Sequence, residues 1–186
     1  MKILNIKDFL KNNTVAEPVL NQTNESLTYK RNEIKEVLED IANTCMANVT
    51  LKSAKGDFEE NPRIYIICGG PGLGKTNLFI NILEHNNFIK DKDFYVYNVK
   101  NKPIKHISEI VLEHNRIYIF DDCFNFYDNR LVSFLKSGIN KNGESLNEWN
   151  SFIIFMTNDS VEDLKDGFGN ITWHAIETRS VVLEIK

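Results

Sequence analysis

The chain has 186 residues, of which 42% are apolar, and a formal net charge of −4 at pH 7. A chain of this size can bury one hydrophobic core, and we do not expect a second domain. The acidic balance excludes a uniformly basic protein that coats nucleic acid, so any contact with a polyanion has to be local. No stretch reaches the roughly 20 apolar residues of a membrane span, and the first residues lack the apolar region of a signal peptide. We therefore expect a soluble protein without a membrane partner.

The three cysteines, Cys45, Cys68 and Cys123, are far apart in the sequence and lie inside apolar runs. This arrangement favours reduced core thiols over a disulfide framework or a zinc site. It predicts a cytoplasmic location.

The N-terminal third of the chain divides into an arm and a helix. Residues 1–25 carry few apolar positions, and asparagines and a proline interrupt any period, so we expect an irregular arm. From Ser26 onward apolar residues recur at helical spacing with charges between them, which predicts an amphipathic helix that ends near Val49. We assign residues 1–60 to this N-terminal segment and residues 61–186 to the main domain.

The most informative stretch is a glycine-rich turn between an apolar run and an amphipathic one. Its spacing, G-x-x-x-x-G-K-T, is that of a phosphate-binding loop. Glycines let successive backbone N–H groups turn inward, and the following helix adds its positive N-terminal end. Lys75 supplies a charge for the β- and γ-phosphates, and the Thr76 hydroxyl is placed to hold Mg²⁺. The predicted nucleotide-binding residues are Gly69, Gly70, Pro71, Gly72, Leu73, Gly74, Lys75, Thr76 and Asn77.

Two carboxylates end a later apolar stretch. Residues 116–122 read as a hydrophobic strand that finishes with Asp121 and Asp122. Such a pair can hold Mg²⁺ through Asp121 and polarise an attacking water through Asp122. Acidic caps on strands are common, but this one lies downstream of the glycine-rich turn at a distance that suits a βαβ fold. Around these two motifs we expect strands over residues 63–68 and 94–99, a helix over residues 75–85 and a short helix over residues 107–111.

The last third of the chain alternates between helical and extended patterns. The Asn142-Gly143 pair favours a tight β-hairpin turn. An apolar strand over residues 151–158 ends in a polar pair, which would place Asn158 beside the γ-phosphate. The other predicted elements are a helix over residues 130–136, a mobile-looking segment over residues 165–170, a short helix from Trp173 and a strand over residues 180–185.

This order of motifs resembles the AAA+ ATPase core and its relatives, the superfamily-three helicases of small viruses and phage-encoded AAA+ proteins. The resemblance covers roughly residues 60–186. It implies a three-layer α/β fold of the P-loop NTPase class, whose parallel sheet has the strand order 5-1-4-3-2 when strands are counted from the one before the glycine-rich turn. In such a sheet the nucleotide lies at the carboxyl ends of the strands.

The resemblance also implies roles for single residues. The matching positions are Lys75 and Thr76 for Walker A, Asp121 and Asp122 for Walker B, Asn158 for sensor one and Arg179 for the arginine that ends the helix before the fifth strand. In clamp loaders such an arginine reaches into the nucleotide of the neighbouring subunit, so the likeness implies a homo-oligomer. On this basis Asp122, Asn158 and Arg179 are the candidate catalytic residues, and Thr76 and Asp121 are the candidate metal ligands.

Two features depart from the family pattern. Most AAA+ proteins have glutamate where this chain has Asp122, so hydrolysis is expected to be slow or the water to be differently placed. The sequence also stops at Lys186, directly after the last predicted strand, where the family continues into a helical lid. Either the sequence is a truncated piece, or it is a minimal ATPase that uses its N-terminal helix where others use the lid.

These observations predict a Mg²⁺-dependent ATPase that acts as a motor or loader on nucleic acid, in phage or mobile-element replication. Whether it unwinds nucleic acid as a helicase stays open. Lys141, at the basic tip of the predicted hairpin, is the candidate contact to single-stranded nucleic acid, although a solvated surface turn explains it equally well. The alternatives are a module that remodels a partner protein and a nucleotide-dependent assembly scaffold. The expected setting is the cytoplasm of a bacterium or of a virus-infected host cell.

Overall fold

A computed structural model describes residues 4–5, 25–51, 63–98, 111–122, 129–139, 142–143 and 145–185. The elements in chain order are β1 (Leu4–Asn5), α1 (Glu25–Leu51), β2 (Ile64–Gly69), α2 (Lys75–His85), β3 (Phe94–Asn98), β4 (Ile117–Asp121), α3 (Asn129–Ser137), α4 (Leu146–Trp149), β5 (Phe152–Thr157), α5 (Val161–Phe168), α6 (Asn170–Glu177) and β6 (Ser180–Ile185). None of these helices is long and apolar enough to cross a membrane.

Within the described residues six strands form one sheet in the order β1-β6-β2-β5-β4-β3. Every neighbouring pair is parallel. Counted from β2, the five longer strands lie in the order 5-1-4-3-2. The predicted α/β class and parallel sheet are therefore confirmed. Because neighbouring parallel strands need long connections, helices cover the sheet, and its central strands are buried on both faces.

Side chains on the two faces of the sheet belong to two separate apolar clusters. Along β2, Tyr65 and Ile67 join the cluster that contains α1 and α2. Ile64, Ile66 and Cys68 point the other way, into the cluster that contains side chains of α3, α4, α5 and α6. The protein is thus layered as helices, sheet and helices, with a core on each side of the sheet.

Helix α1 is part of this core. Its apolar side chains recur at helical spacing and are buried against α2 and the sheet; they are Ile34, Val37, Leu38, Ile41, Ala42, Cys45, Met46 and Val49. The opposite face carries charged residues, among them Lys35 and Glu39, which form an exposed ion pair at 3.4 Å. The amphipathic helix predicted from Ser26 is confirmed, and it shares the core of the domain that follows it.

A buried amide cluster fastens α1 to the amino-terminal edge of the sheet. Arg63, which is fully buried, donates to Asn150 Oδ1 at 2.9 Å, and its guanidinium lies 4.5 Å from the ring centre of Phe152. The Asn150 amide donates in turn to the Asn48 carbonyl oxygen at 3.0 Å and to Asn115 Oδ1 at 2.8 Å. Burial lowers the pKa of Arg63, because it disfavours the charged form of the side chain. The hydrogen bond to Asn150 and the contact with the Phe152 ring offset part of the cost of taking this cation out of water.

The structure corrects the predicted mobile-looking segment over residues 165–170. Residues up to Phe168 belong to α5, and Asn170 already begins α6. A capping box starts α5, because the Ser160 side chain accepts from the Asp163 N–H while the Asp163 side chain accepts from the Ser160 N–H. Two short helices, separated at Gly169, therefore replace the predicted loop.

Other expectations at this level are only partly covered. Residues 107–110 of the predicted short helix lie outside the described residues. Of the predicted hairpin, the structure describes one antiparallel bridge between Ile139 and Ser145. Within the arm that was expected to be irregular, Leu4 and Asn5 pair with β6 as a short parallel strand.

Candidate functional site

The glycine-rich loop connects β2 to α2 at the carboxyl edge of the sheet. Gly72 and Gly74 have φ angles of 79° and 69°, which side-chain-bearing residues adopt at a cost. Nothing lies within 4 Å of the position that a Cβ would take on either glycine, so the space above the loop is open. At the start of the loop a Cβ on Gly69 would come within 3.0 Å of Ile185 in β6. The last strand therefore forms one wall of the loop.

Lys75 begins α2 and turns its side chain back under the loop. Its ammonium donates to the carbonyl oxygens of Gly69 at 2.6 Å and Gly70 at 3.2 Å, and to Asn158 Oδ1 at 3.3 Å. Burial lowers the pKa of this lysine, while Asp122 and Asp121 act in the opposite direction. A cation is thus held, largely buried, under a loop that has open space above it.

Thr76 and Asp121 bring two oxygen atoms together next to this lysine. The Thr76 hydroxyl donates to Asp121 Oδ1 at 2.5 Å. Thr76 lies in the first turn of α2, and Asp121 is the last residue of β4. The contact therefore joins the glycine-rich loop to a strand two positions away in the sheet.

Asp122 and Asn158 form a second polar pair across the ends of β4 and β5. The carboxylate of Asp122 accepts from the Asn158 side-chain amide at 2.8 Å and from its backbone N–H at 3.2 Å. The backbone N–H of Asp122 donates to the Met156 carbonyl oxygen at 2.9 Å. Asp122 has a φ of 51°, in the left-handed region that aspartate tolerates better than most residues. This turn directs its carboxylate toward the end of β5.

Together these side chains line an open cleft of about 370 Å³. Its lining residues are Gly72, Gly74, Lys75, Thr76, Asn77, Asp121, Asp122 and Asn158. The predicted residues Gly69 and Gly70 instead line a neighbouring cavity of about 710 Å³ toward α5 and β6. Pro71 is exposed and Leu73 half-buried in the same loop. The structure thus brings together the residues of three separate sequence motifs.

The donor set fits a magnesium ion that is held mainly by a bound phosphate. Hydroxyl and carboxylate oxygens, as in Thr76 and Asp121, are the ligands that Mg²⁺ prefers. Among the described residues no three His, Cys, Asp or Glu side chains are grouped so that they could hold a metal. Magnesium at phosphate sites commonly has only one or two protein carboxylates as ligands, with phosphates and water as the others.

The segment after β5 is held by contacts that the sequence analysis missed. The Thr157 hydroxyl donates to Asp159 Oδ2 at 2.7 Å, and Glu184 of β6 accepts from the Val161 N–H at 3.1 Å. With the capping box at Ser160, these bonds fix the backbone on both sides of Asn158. The signal available in the sequence was the Ser-x-x-Asp spacing before an apolar run.

The predicted catalytic residue Arg179 is not among the residues that line this cleft. Arg179 is exposed beyond the end of α6 and precedes Ser180, which pairs with Ile64 at the amino-terminal edge of the sheet. None of the ion pairs between described residues includes Arg179. Lys141 lies outside the described residues.

The two tryptophans and the thiol of Cys68 take part in packing. Trp173 is buried against Phe168, and Trp149 stacks on His114 with ring centres 4.2 Å apart. Burial, with Glu184 and Asp159 nearby, raises the pKa of Cys68 to about 12. This thiol therefore stays protonated and unreactive beside the glycine-rich loop.

No protein-family model matches the chain, and no curated protein is similar to it.

Proposed function

We propose that this protein binds ATP with Mg²⁺ and hydrolyses it, and that it belongs among the AAA+ type P-loop ATPases. The observation that carries the proposal is the convergence of Lys75, Thr76, Asp121, Asp122 and Asn158 on one cleft at the carboxyl edge of a parallel sheet. Ligands of open α/β sheets bind at this edge. The cleft contains a cation, a hydroxyl, two carboxylates and an amide, next to glycines that leave space for a ligand. Phosphoryl transfer uses this set of groups.

Binding would rest on the loop and on Lys75. Gly72 and Gly74 leave room for a phosphate to approach the backbone, and α2 directs its free N–H groups toward that space. The ammonium of Lys75 would exchange its carbonyl partners for phosphate oxygens. Thr76 and Asp121 would hold Mg²⁺, which neutralises charge on the phosphates when it is bound.

Hydrolysis would rest on Asp122 and Asn158. Asp121 accepts from Thr76 and Asp122 accepts from Asn158. Because Asp122 is not bonded to the proposed magnesium ligand Thr76, its carboxylate is the one that can orient a water and accept its proton. The Asn158 side chain, which lies within hydrogen-bond distance of both Lys75 and Asp122, can donate to the terminal phosphate. The proposed base, Asp122, thus follows β4, and the proposed contact to the phosphate, Asn158, follows β5.

The first experiment measures Mg²⁺-dependent release of phosphate from ATP. Lys75→Ala should weaken ATP binding about 10- to 100-fold, because a charge-assisted contact is lost, and should leave the fold intact. Lys92→Ala is the matched control, since Lys92 is an exposed lysine in the turn before β3. Equal ATP affinity in the parent and in Lys75→Ala would refute the proposal.

The partner is proposed to be single-stranded nucleic acid, on which the ATPase would act as a motor or loader. The support is the order of motifs in the sequence and the position of Lys141 at the tip of the predicted hairpin. Turnover should be measured with single-stranded DNA, duplex DNA, RNA and an unfolded protein. Stimulation by the unfolded protein alone would favour a protein-remodelling module, and no stimulation would favour an assembly scaffold.

A further inference from the structure

Asn142 and Gly143 form an exposed turn between α3 and α4. Gly143 has a φ of 81°, and nothing lies within 4 Å of the position that a Cβ would take on it. An antiparallel bridge between Ile139 and Ser145 joins the two sides of this segment. The two turn residues are therefore accessible to water in a segment that is closed at its base.

We propose that Asn142 is a site of spontaneous deamidation, a covalent modification that converts its neutral amide into a carboxylate. The backbone nitrogen of Gly143 loses its proton to hydroxide and attacks Cγ of Asn142. A new N–Cγ bond forms while the bond from Cγ to Nδ2 breaks, and Nδ2 takes up a proton and leaves as ammonia. Water then adds to one of the two carbonyl carbons of the resulting succinimide ring and breaks its bond to the nitrogen. The product is aspartate or isoaspartate, and the net co-reactant is water.

The residue after an asparagine controls this reaction because its nitrogen is the nucleophile. Glycine has no side chain to hinder the attack, and its backbone reaches the conformations that ring closure needs more readily than that of other residues. Asn142 is the only asparagine in the sequence that precedes a glycine. The chemistry therefore singles out this asparagine.

A related dipeptide lies in a different backbone conformation. Asp166 and Gly167 are exposed as well, but they lie inside α5. Aspartate forms the same ring more slowly, with loss of water instead of ammonia. In a helix the backbone N–H groups donate to carbonyl oxygens four residues earlier, so ring closure at Asp166 requires the helix to open. The fold should therefore slow the reaction at Asp166 and leave it nearly unaffected at Asn142.

The first experiment incubates the full chain in mildly alkaline buffer, with and without urea, and follows its peptides by mass spectrometry after digestion. In the folded chain the Asn142 peptide should gain the mass of the amide-to-acid exchange at least about tenfold faster than any other asparagine peptide. Urea should change the rate at Asn142 less than about threefold and raise the rate of isoaspartate formation at Asp166 at least about tenfold. Asn142→Gln is the control, and its peptide should stay unmodified. Modification at Asn142 that is no faster than at other asparagines, or that the fold slows as much as at Asp166, overturns the proposal.

The consequence for function rests on the proposed contact with nucleic acid, whereas the modification itself does not. Deamidation moves the net charge from −4 to −5, because one neutral amide becomes a carboxylate. The new charge is adjacent in sequence to Lys141, so the attraction of this segment for phosphates falls. Asn142→Asp should therefore bind single-stranded DNA about two- to fivefold more weakly than Asn142→Gln at low salt. The difference should shrink as the salt concentration rises.

ATP affinity is the control for this second experiment. It should be equal in Asn142→Asp and Asn142→Gln, because Asn142 is not among the residues that line the cleft. Equal binding of single-stranded DNA by the two variants overturns the functional consequence. If the parent binds no single-stranded DNA, the proposed partner fails, and the masses of the peptides alone decide on the modification.

Discussion

Arg179 offers the sharpest test of whether the ATPase works as an assembly. The strand that follows it runs from Ser180, paired with Ile64, to Ile185, paired with Gly69. Five steps of about 3.3 Å place Ser180 about 17 Å from the level of Gly69, and Arg179 lies one residue further from the glycine-rich loop of its own chain. One side chain cannot bridge that distance. If Arg179 acts on a nucleotide, that nucleotide is bound by a neighbouring chain.

The two acidic residues that could hold Arg179 on its own surface have other partners. Glu177 pairs with His174 at 3.3 Å, and Glu184 accepts from Val161. A surface pair with either would in any case contribute only about 0 to 1 kcal/mol. A guanidinium supplied to the transferred phosphoryl group is worth about 10³ to 10⁵ in rate, equivalent to about 4 to 7 kcal/mol of barrier. These expectations differ enough for a simple assay to separate them.

The assay mixes two inactive variants, Arg179→Ala and Lys75→Ala, in equal amounts. At a head-to-tail interface about a quarter of the sites then combine an intact Lys75 with an intact Arg179 from the next chain, so about a quarter of parental turnover should return. Turnover per chain of the parent should also rise with protein concentration. The reasoning fails if Arg179→Ala alone hydrolyses ATP normally at all concentrations, or if the mixture is no more active than its components.

Five further substitutions at four positions probe the cleft, the candidate nucleic-acid contact and the fold. Asp122→Asn should keep ATP bound but stop turnover, because only the water-orienting carboxylate is lost; single-turnover hydrolysis at the parental rate would contradict this. Lys75→Met should raise the melting temperature of the nucleotide-free protein by about 2 to 4 °C. Burial lowers the pKa of Lys75, so the charge on this lysine reduces the stability of the folded state at any pH below that pKa. A lower melting temperature in Lys75→Met would contradict this prediction. Lys141→Ala should reduce salt-sensitive binding of single-stranded DNA without changing ATP affinity, and an unchanged salt dependence would remove this candidate contact. Asn150→Ala should cost about 3 to 5 kcal/mol in urea unfolding, because the three hydrogen bonds of a buried side chain are lost and alanine is strained in the left-handed region. Asn150 has a φ of 51°, so Asn150→Gly should cost about 1 kcal/mol less, and equal losses would refute the strain argument.

The strands could be predicted from the sequence because parallel strands buried on both faces leave a plain signal. β2 and β5 consist almost entirely of apolar residues, and such runs bounded by polar or turn residues are typical of central strands. The carboxyl ends of these strands meet at one edge, so the proximity of Asp121, Asp122 and Asn158 follows from the topology. At these strand ends, the apolar pattern of the sequence and the geometry of the parallel sheet lead to the same prediction.

What the sequence did not predict depends on contacts between distant segments. The contact of Asn158 with Asp122 requires the left-handed backbone at Asp122, which no local pattern signals for a non-glycine residue. The burial of Arg63 depends on Asn150, a residue far along the chain. The sequence predicted a mobile-looking segment over residues 165–170. The apolar face of α5 nevertheless packs into the core through Val161, Leu164 and Phe168, and that packing outweighs the weak helix propensity of a segment that contains Gly167.

The central position of β2 has a consequence for how the chain folds. Ile64 pairs with Ile153 on one side and with Ser180 on the other, so both neighbours of β2 are synthesised long after it. Pairings across such separations cost loop entropy before they contribute any stability, and chains dominated by them fold slowly. On the ribosome β2 would stay unpaired until β5 emerges and would be paired on one side only until β6 emerges, which makes the nascent chain prone to aggregation. Because Ile185 closes against Gly69, the wall of the glycine-rich loop is completed only by that final docking step.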